Sequence, residues 1–148
     1  MKATTQERFL QYATLVALEL GNENRSLSTF TGIIGELVAC KVMKAKWQPS
    51  DGYDAISRQG HRVSIKTRVK RTDRDPSPTM GTFRKNKQKK HAFDIAWYVQ
   101  LKPNFKLDGI WEAKRHTVAK LQTARKNRGI SVRKFTKKEN SEQVWPKK

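Results

Sequence analysis

Gly52-Tyr53-Asp54-Ala55-Ile56-Ser57-Arg58-Gln59-Gly60-His61-Arg62-Val63-Ser64-Ile65-Lys66-Thr67-Arg68-Val69 reads as two strands joined by a tight polar turn. Tyr53–Ser57 and Arg62–Val69 carry the apolar and β-branched residues, and Arg58 to His61 supplies the turn with Gly60 inside it. In the second strand Val63, Ile65 and Thr67 alternate with Ser64, Lys66 and Arg68, so Ser64 and Lys66 share a face. Asp54 lies on one arm and Lys66 on the other. Paired strands run roughly 4.8 Å apart, so the hairpin brings this acid and this base within reach of each other.

Helices are expected upstream of the hairpin. Phe9, Leu10, Ala13, Val16, Ala17 and Leu20 recur at helical spacing after Thr4 or Thr5, and Gly21-Asn22 stops the run. A polar linker, Glu23 to Ser28, leads to a second helix from about Thr31 to Lys44. Ile33, Ile34, Leu37, Val38 and Cys40 make its apolar face, and Glu36 borders that face. Lys44 to Gly52, with Pro49 and Gly52 as breakers, reads as irregular.

Downstream, Phe93 to Leu101 is apolar on both faces and reads as a central strand. Gly109–Ala113 is a further strand, Thr117 to Ala124 a helix, and Gly129 to Phe135 a last strand or extended arm. Thr67 to His91 shows no core pattern. Its turn-rich Asp73-Arg-Asp-Pro-Ser-Pro78 and its basic Arg84-Lys-Asn-Lys-Gln-Lys-Lys90 suit a functional loop lying along a phosphate backbone. The whole is a single mixed α/β domain over residues 1–148. It divides into an N-terminal helix (1–22), a core (31–136) that contains a basic loop (67–91), and a basic tail (137–148).

The formal charge is +19 over 148 residues, and it is unevenly placed. Residues 66–90 hold 10 Lys/Arg against 2 Asp/Glu, and residues 114–148 hold 12 against 2, whereas the other segments are close to neutral. Two basic appendages on a near-neutral core form the layout of a polyanion binder. An anionic membrane is disfavoured because neither basic segment pairs its charge with a long apolar helical face.

Arg68, Lys70, Arg71, Arg84, Lys85, Lys87, Lys89, Lys90, Arg125, Lys126, Arg128, Arg133 and Lys134 are the candidate nucleic-acid contacts. DNA is the expected partner and RNA the alternative. No apolar run approaches the roughly 20 residues that cross a bilayer, and the N-terminus lacks the layout of a secretory signal; a soluble cytoplasmic protein is expected. The single cysteine, Cys40, sits in an apolar helix and reads as a buried thiol, not a nucleophile. His61, His91 and His116 have no ligand-like spacing, so no zinc site is expected. Trp47, Trp97 and Trp111 read as packing residues. Trp145 suits either stacking on a base or docking on the sheet.

A carboxylate beside an apolar helix face (Glu36), an aspartate on a strand (Asp54) and a lysine on its partner strand (Lys66) can together support attack of an in-line water on a phosphodiester. One or two carboxylates and a backbone carbonyl, here Asp54, the Ile65 carbonyl and, directly or through water, Glu36, hold a hard dication with positions open to phosphate. A lysine beside it stabilises developing charge or orients water. Gly35-Glu36, Gly52-Tyr-Asp54 and Ser64-Ile-Lys66 resemble, in order and spacing, the three elements of the PD-(D/E)XK, or restriction-endonuclease-like, nuclease superfamily. Phe93-Asp-Ile-Ala-Trp-Tyr-Val99, Ile110-Trp-Glu-Ala-Lys-Arg115 and Ile130-Ser-Val-Arg-Lys-Phe135 resemble an uncharacterised bacterial branch of it.

The resemblance covers about residues 30–136. It implies a mixed β-sheet flanked by helices, and a Mg2+- or Mn2+-dependent DNA endonuclease. Glu36, Asp54 and Lys66 would be catalytic, with the ion held by Asp54, Glu36 and the Ile65 carbonyl. Ser64 stands where the family places Glu or Gln, which makes it a lesser member of the site. A nucleic-acid-binding protein without catalysis on the same fold is the alternative this serine opens. Enzymes that cut both strands commonly pair two sites across a two-fold axis, so a homodimer is also expected.

Overall fold

A computed structural model describes residues 3–20, 27–70, 79–85, 88, 90–124 and 129–147. Helix α1 spans Thr5–Leu20 and α2 spans Leu27–Met43. They are followed by strands β1 (Lys46–Ser50), β2 (Tyr53–Ile56), β3 (Arg62–Val69), β4 (Ile95–Leu101) and β5 (Leu107–Lys114). Helices α3 (Arg115–Ala124) and α4 (Val132–Phe135) precede the last strand, β6 (Glu142–Trp145). The strands form one six-stranded sheet in chain order. All neighbours are antiparallel except β3 and β4, which run parallel with Val63 opposite Ile95 and Lys66 opposite Tyr98.

A parallel pair needs a crossover. Here residues 70–94 make it, and part of that crossover is core. Met80 and Phe83 are buried with Phe93, Ala96, Tyr98, Ala113, Val118, Ile130, Val132 and Phe135 on one face of the sheet. The other face buries Val63, Ile65, Ile95, Trp97, Val99 and Leu101 against Ala13 of α1 and Ile34, Ala39 and Cys40 of α2. β4 is therefore covered on both sides, as its uninterrupted apolar run implies. Among the described residues no helix is long and apolar enough to cross a membrane.

The helix ends follow local chemistry. The Glu7 amide donates to Thr4 Oγ1 at 3.1 Å while the Thr4 amide donates to Glu7 Oε2 at 2.8 Å, a reciprocal capping box that starts α1. α2 ends with Lys44 in the left-handed region (φ 53°) and the Ala45 amide donating to the Cys40 carbonyl at 2.9 Å, a Schellman closure. Gly35 meets β3 with no room to spare, since a Cβ there would lie 2.0 Å from Thr67 Oγ1. Only glycine lets α2 approach so closely.

Four sequence expectations are corrected. Lys44 to Gly52 is largely strand: β1 is an edge strand, where Pro49 costs no ladder bond, and a register irregularity lies between Trp47 and Ser50. Gly129–Phe135 is not a strand. Met80 donates to the Ile130 carbonyl at 2.9 Å and Thr79 bridges Ser131, after which one helical turn buries Val132 and Phe135 three residues apart. Residues 137–148 are not simply a basic tail, because β6 pairs with β5, placing Trp145 opposite Ile110 on the sheet. Residues 67–91 are not a coreless loop: β3 runs on to Val69, and Met80, Phe83 and His91 are buried.

Candidate active site

Three elements converge on one cleft of about 340 Å³, lined by Glu36 of α2, Asp54 of β2, and Ser64, Ile65, Lys66 and Arg68 of β3, with Asp51, Gly52 and Arg84 at its margins. The expected trio of Glu36, Asp54 and Lys66 is thus brought together, with Ser64 and Ile65 beside it.

The cleft opens where the β2–β3 ladder stops. The last paired residues are Ala55 and Val63. One step further along, the Ile65 amide donates to Asp54 Oδ2 at 2.7 Å, so a side chain takes the place of a strand partner. Amide and carbonyl of one strand residue leave on the same side, so the Ile65 carbonyl also faces the β2 side of the strand. The turn before Asp54 is a two-residue hairpin, Asp51-Gly52, with Ser50 opposite Tyr53. Gly52 has φ +89° there, a conformation that L side chains rarely adopt.

Glu36 is held by Trp47, whose indole Nε1 donates to Oε2 at 2.9 Å. Burial pushes the Glu36 carboxyl up to about 7, with Asp54 adding to the rise and the Trp47 bond and Lys66 opposing it. Burial also raises Asp54, against the pull of the Ile65 amide and of Lys66. Lys66 is lowered, first by burial and then by Arg68 and Arg84, while Asp54 and Glu36 favour its charge. Its Nζ lies 5.4 Å from the centroid of the Phe83 ring, and a Cβ added at Gly81 would come within 3.7 Å of it. Residues 81–83 therefore wall the lysine in.

Two desolvated carboxylates, with Asp54 raising the proton affinity of Glu36, are the electrostatic setting a divalent cation relieves. Their hydrogen bonds engage Oε2 and Oδ2, so each carboxylate has a second oxygen outside those bonds. Two carboxylates and a carbonyl are hard donors that fit Mg2+ or Mn2+ with water completing the shell. Among the described residues no three His, Cys, Asp or Glu side chains gather into a closed cage.

The expected nucleic-acid contacts fall into two groups. Arg68 is anchored, its guanidinium donating to the carbonyls of Thr79 (2.9 Å) and Thr67 (2.9 Å). Arg84 is exposed at the rim, 4.0 Å from Asp51. Lys70, Lys85, Lys90, Arg133 and Lys134 are exposed residues, the last two on α4. Arg71, Lys87, Lys89, Arg125, Lys126 and Arg128 lie outside the described residues. Sequence reasoning missed Trp47 as a partner of Glu36 and Phe83 as a partner of Lys66. Neither has a local signal, because each meets its partner only through the fold.

No family model matches this chain, and no curated protein matches it. The chemistry of the cleft stands on its own residues.

Proposed function

We propose that this protein binds DNA and hydrolyses its phosphodiester bonds in the cleft between α2, β2 and β3, as a Mg2+- or Mn2+-dependent endonuclease of restriction-endonuclease-like type. One observation carries the reading: Glu36, Asp54 and Lys66, from three separate elements, line one cleft and perturb one another electrostatically. Perturbed titratable groups that converge in a cleft mark a functional site more often than a packing accident.

Asp54, Glu36 and the Ile65 carbonyl would hold the ion, which when bound supplies Lewis-acid stabilisation of phosphate charge and a more acidic water. The chain's own groups do the rest. Trp47 and the Ile65 amide fix the two carboxylates before substrate arrives, so no reorganisation is needed at the moment of reaction. Lys66, walled by Phe83 and Gly81, directs its ammonium to charge developing on a phosphate oxygen. Glu36, desolvated beside Asp54, would hold the ion directly or through a water. Arg68 and Arg84 set the substrate backbone across the opening, and the surrounding basic residues add affinity without sequence information.

A second reading has its own support. Ser64, 8% exposed, offers a neutral hydroxyl at the face it shares with Lys66, and a hydroxyl is a poor ligand for a hard dication. On that reading the protein grips nucleic acid and does not cut it.

Supercoiled plasmid separates the two. Wild type should nick or linearise it in Mg2+ or Mn2+ and leave it intact in EDTA, with Lys66→Ala and Asp54→Asn inactive. Binding by all three proteins with no cleavage in any metal would replace the nuclease with the binding protein.

A further inference from the structure

Helix α3 carries a polar side chain at a position a core residue would fill. Its buried residues are Val118 and, one turn further on, Gln122, which is 2% exposed. A buried amide is costly unless both its ends are bonded, and a leucine would occupy the same space without that demand. Gln122 bonds at both ends to one residue. The Phe83 amide donates to Gln122 Oε1 at 2.9 Å, and Gln122 Nε2 donates to the Phe83 carbonyl at 3.2 Å. Exchanging the oxygen and nitrogen would set donor against donor, so the network fixes the orientation of the amide.

Paired bonds to the amide and the carbonyl of one residue are what a neighbouring strand supplies. Phe83 lies outside the strands of the sheet, and the Gln122 side chain stands in for that neighbour. Buried His91 hydrogen-bonds the backbone of Phe83 as well; its Nε2 has no partner, so Nδ1 makes the bond. To either side the Met80 amide donates to the Ile130 carbonyl at 2.9 Å, and Lys85 bridges His91. Residues 79–85 are thus pinned at both ends, and Gln122 grips them between.

The clamp holds an aromatic ring at the wall of the cleft. The Phe83 ring packs on that of Phe93 with centroids 5.4 Å apart, and the Lys66 ammonium lies 5.4 Å from its own centroid. A cation is drawn to the face of an aromatic ring, more strongly where water is excluded. The long flexible stem of a lysine leaves its ammonium poorly placed unless something outside the side chain fixes it. Phe83 does so here, and the backbone that aims its ring is held from α3, on the far side of the crossover from the cleft. Arg84, the next residue, stands at the rim of the same cleft.

We infer that Gln122 is a positioning residue of the cleft: by clamping both backbone groups of Phe83 it holds the ring against Lys66 and so sets where the ammonium lies. The effect on catalysis rests on the nuclease reading, whereas the clamp itself requires neither metal nor DNA.

Gln122→Met keeps the bulk of the side chain and removes both bonds. In plasmid cleavage by folded protein it should lower kcat about tenfold and leave KM within about twofold, because the ammonium shifts while the residues that grip phosphate stay. In a Lys66→Ala background the same substitution should change kcat no further, whereas a general loosening of the fold would slow both backgrounds alike. The clamp is also read without catalysis, by the nuclear Overhauser contact between the Phe83 ring and the Lys66 ε-methylene protons. It should be present in wild type and lost in Gln122→Met. Gln122→Glu should regain the contact at about pH 5, where a buried carboxyl is protonated and offers both bonds, and lose it at about pH 8.

A contact that persists in Gln122→Met overturns the inference, as does a kcat loss of equal size in both backgrounds. Should Gln122→Met fail to fold, Gln122→Glu carries the same test, and a contact equally strong at both pH values overturns it. A wild type that cuts no plasmid in any metal sets aside the nuclease reading alone, and the Overhauser contact then decides whether Gln122 holds the ring on Lys66.

Discussion

The two halves of the sheet use the same bond for different ends. On β4 and β5, Trp97 Nε1 donates to Glu112 Oε2 at 2.8 Å between directly opposed residues, and Gln100 and Asp108 continue the tie at 2.6 Å. There the carboxylates fasten two strands that stay paired on both sides of a register irregularity between Gln100 and Leu101. Near β1 and β2, Trp47 Nε1 holds Glu36 Oε2 at 2.9 Å, but the carboxylate lies beside Asp54 and Lys66, where the β2–β3 ladder has stopped. An indole–carboxylate pair thus ties two strands or holds a carboxylate at an open cleft according to what else shares its space. The gap in the ladder decides which.

Substitutions can break this contrast. The largest effects should come from Lys66→Ala and Asp54→Asn, each lowering cleavage by about 100- to 1000-fold, the usual cost of removing a preorganised electrostatic group. Plasmid cleavage rates check it. Glu112→Gln, at the other half, should leave the rate within about threefold. A large loss there would erase the distinction between the halves.

Trp97→Ala should cost about 3–5 kcal/mol by urea denaturation, because it empties a fully buried indole site between α2 and the sheet. Two glycines of α2 make a matched pair. Gly35→Ala drives a methyl into Thr67 and should destabilise by about 1–3 kcal/mol while displacing Glu36 and slowing cleavage. Gly32→Ala meets nothing within 4 Å and should stabilise by about 0.5–1 kcal/mol. Equal outcomes for the two would mean that α2 does not sit this close to β3.

A further effect depends on pH. Below about 4.5 Glu36 is protonated in both folded and unfolded chains, and it contributes no penalty. As pH rises towards 7 the unfolded chain ionises while the folded one keeps its proton, so stability falls, and above about 7 the loss is complete. Glu36→Gln should therefore raise stability by about 1–2 kcal/mol at pH 8, allowing for its contact with solvent, and have little effect at pH 4. A pH-independent difference between the two proteins would remove the raised carboxyl.

Much of the site was legible because it rests on short-range patterns. Alternation from Val63 to Arg68 placed Ser64 and Lys66 on one face, helical spacing placed Glu36 at the border of an apolar stripe, and the turn at Gly60 brought the two strands together. What escaped has no local period. β1 hides behind Pro49, β6 is four residues in a basic stretch, and the α4 turn follows an Ile130-Ser-Val132 alternation that mimics a strand. Met80 and Phe83 lie between masses of charge, and only the crossover from β3 to β4 buries them. Trp47 lies 11 residues beyond Glu36 and reaches it because the Schellman closure at Lys44 turns the chain back along α2.

The bond from the Ile65 amide to Asp54 has a use whatever chemistry the cleft performs. It is the one backbone proton of β3 here whose acceptor is a carboxylate of the cleft and not another strand. Its exchange with deuterium will follow the state of Asp54 while its neighbours, locked in the ladder with β4, follow the opening of the sheet. A single amide resonance thus becomes a gauge of what occupies the cleft, readable without any reaction taking place.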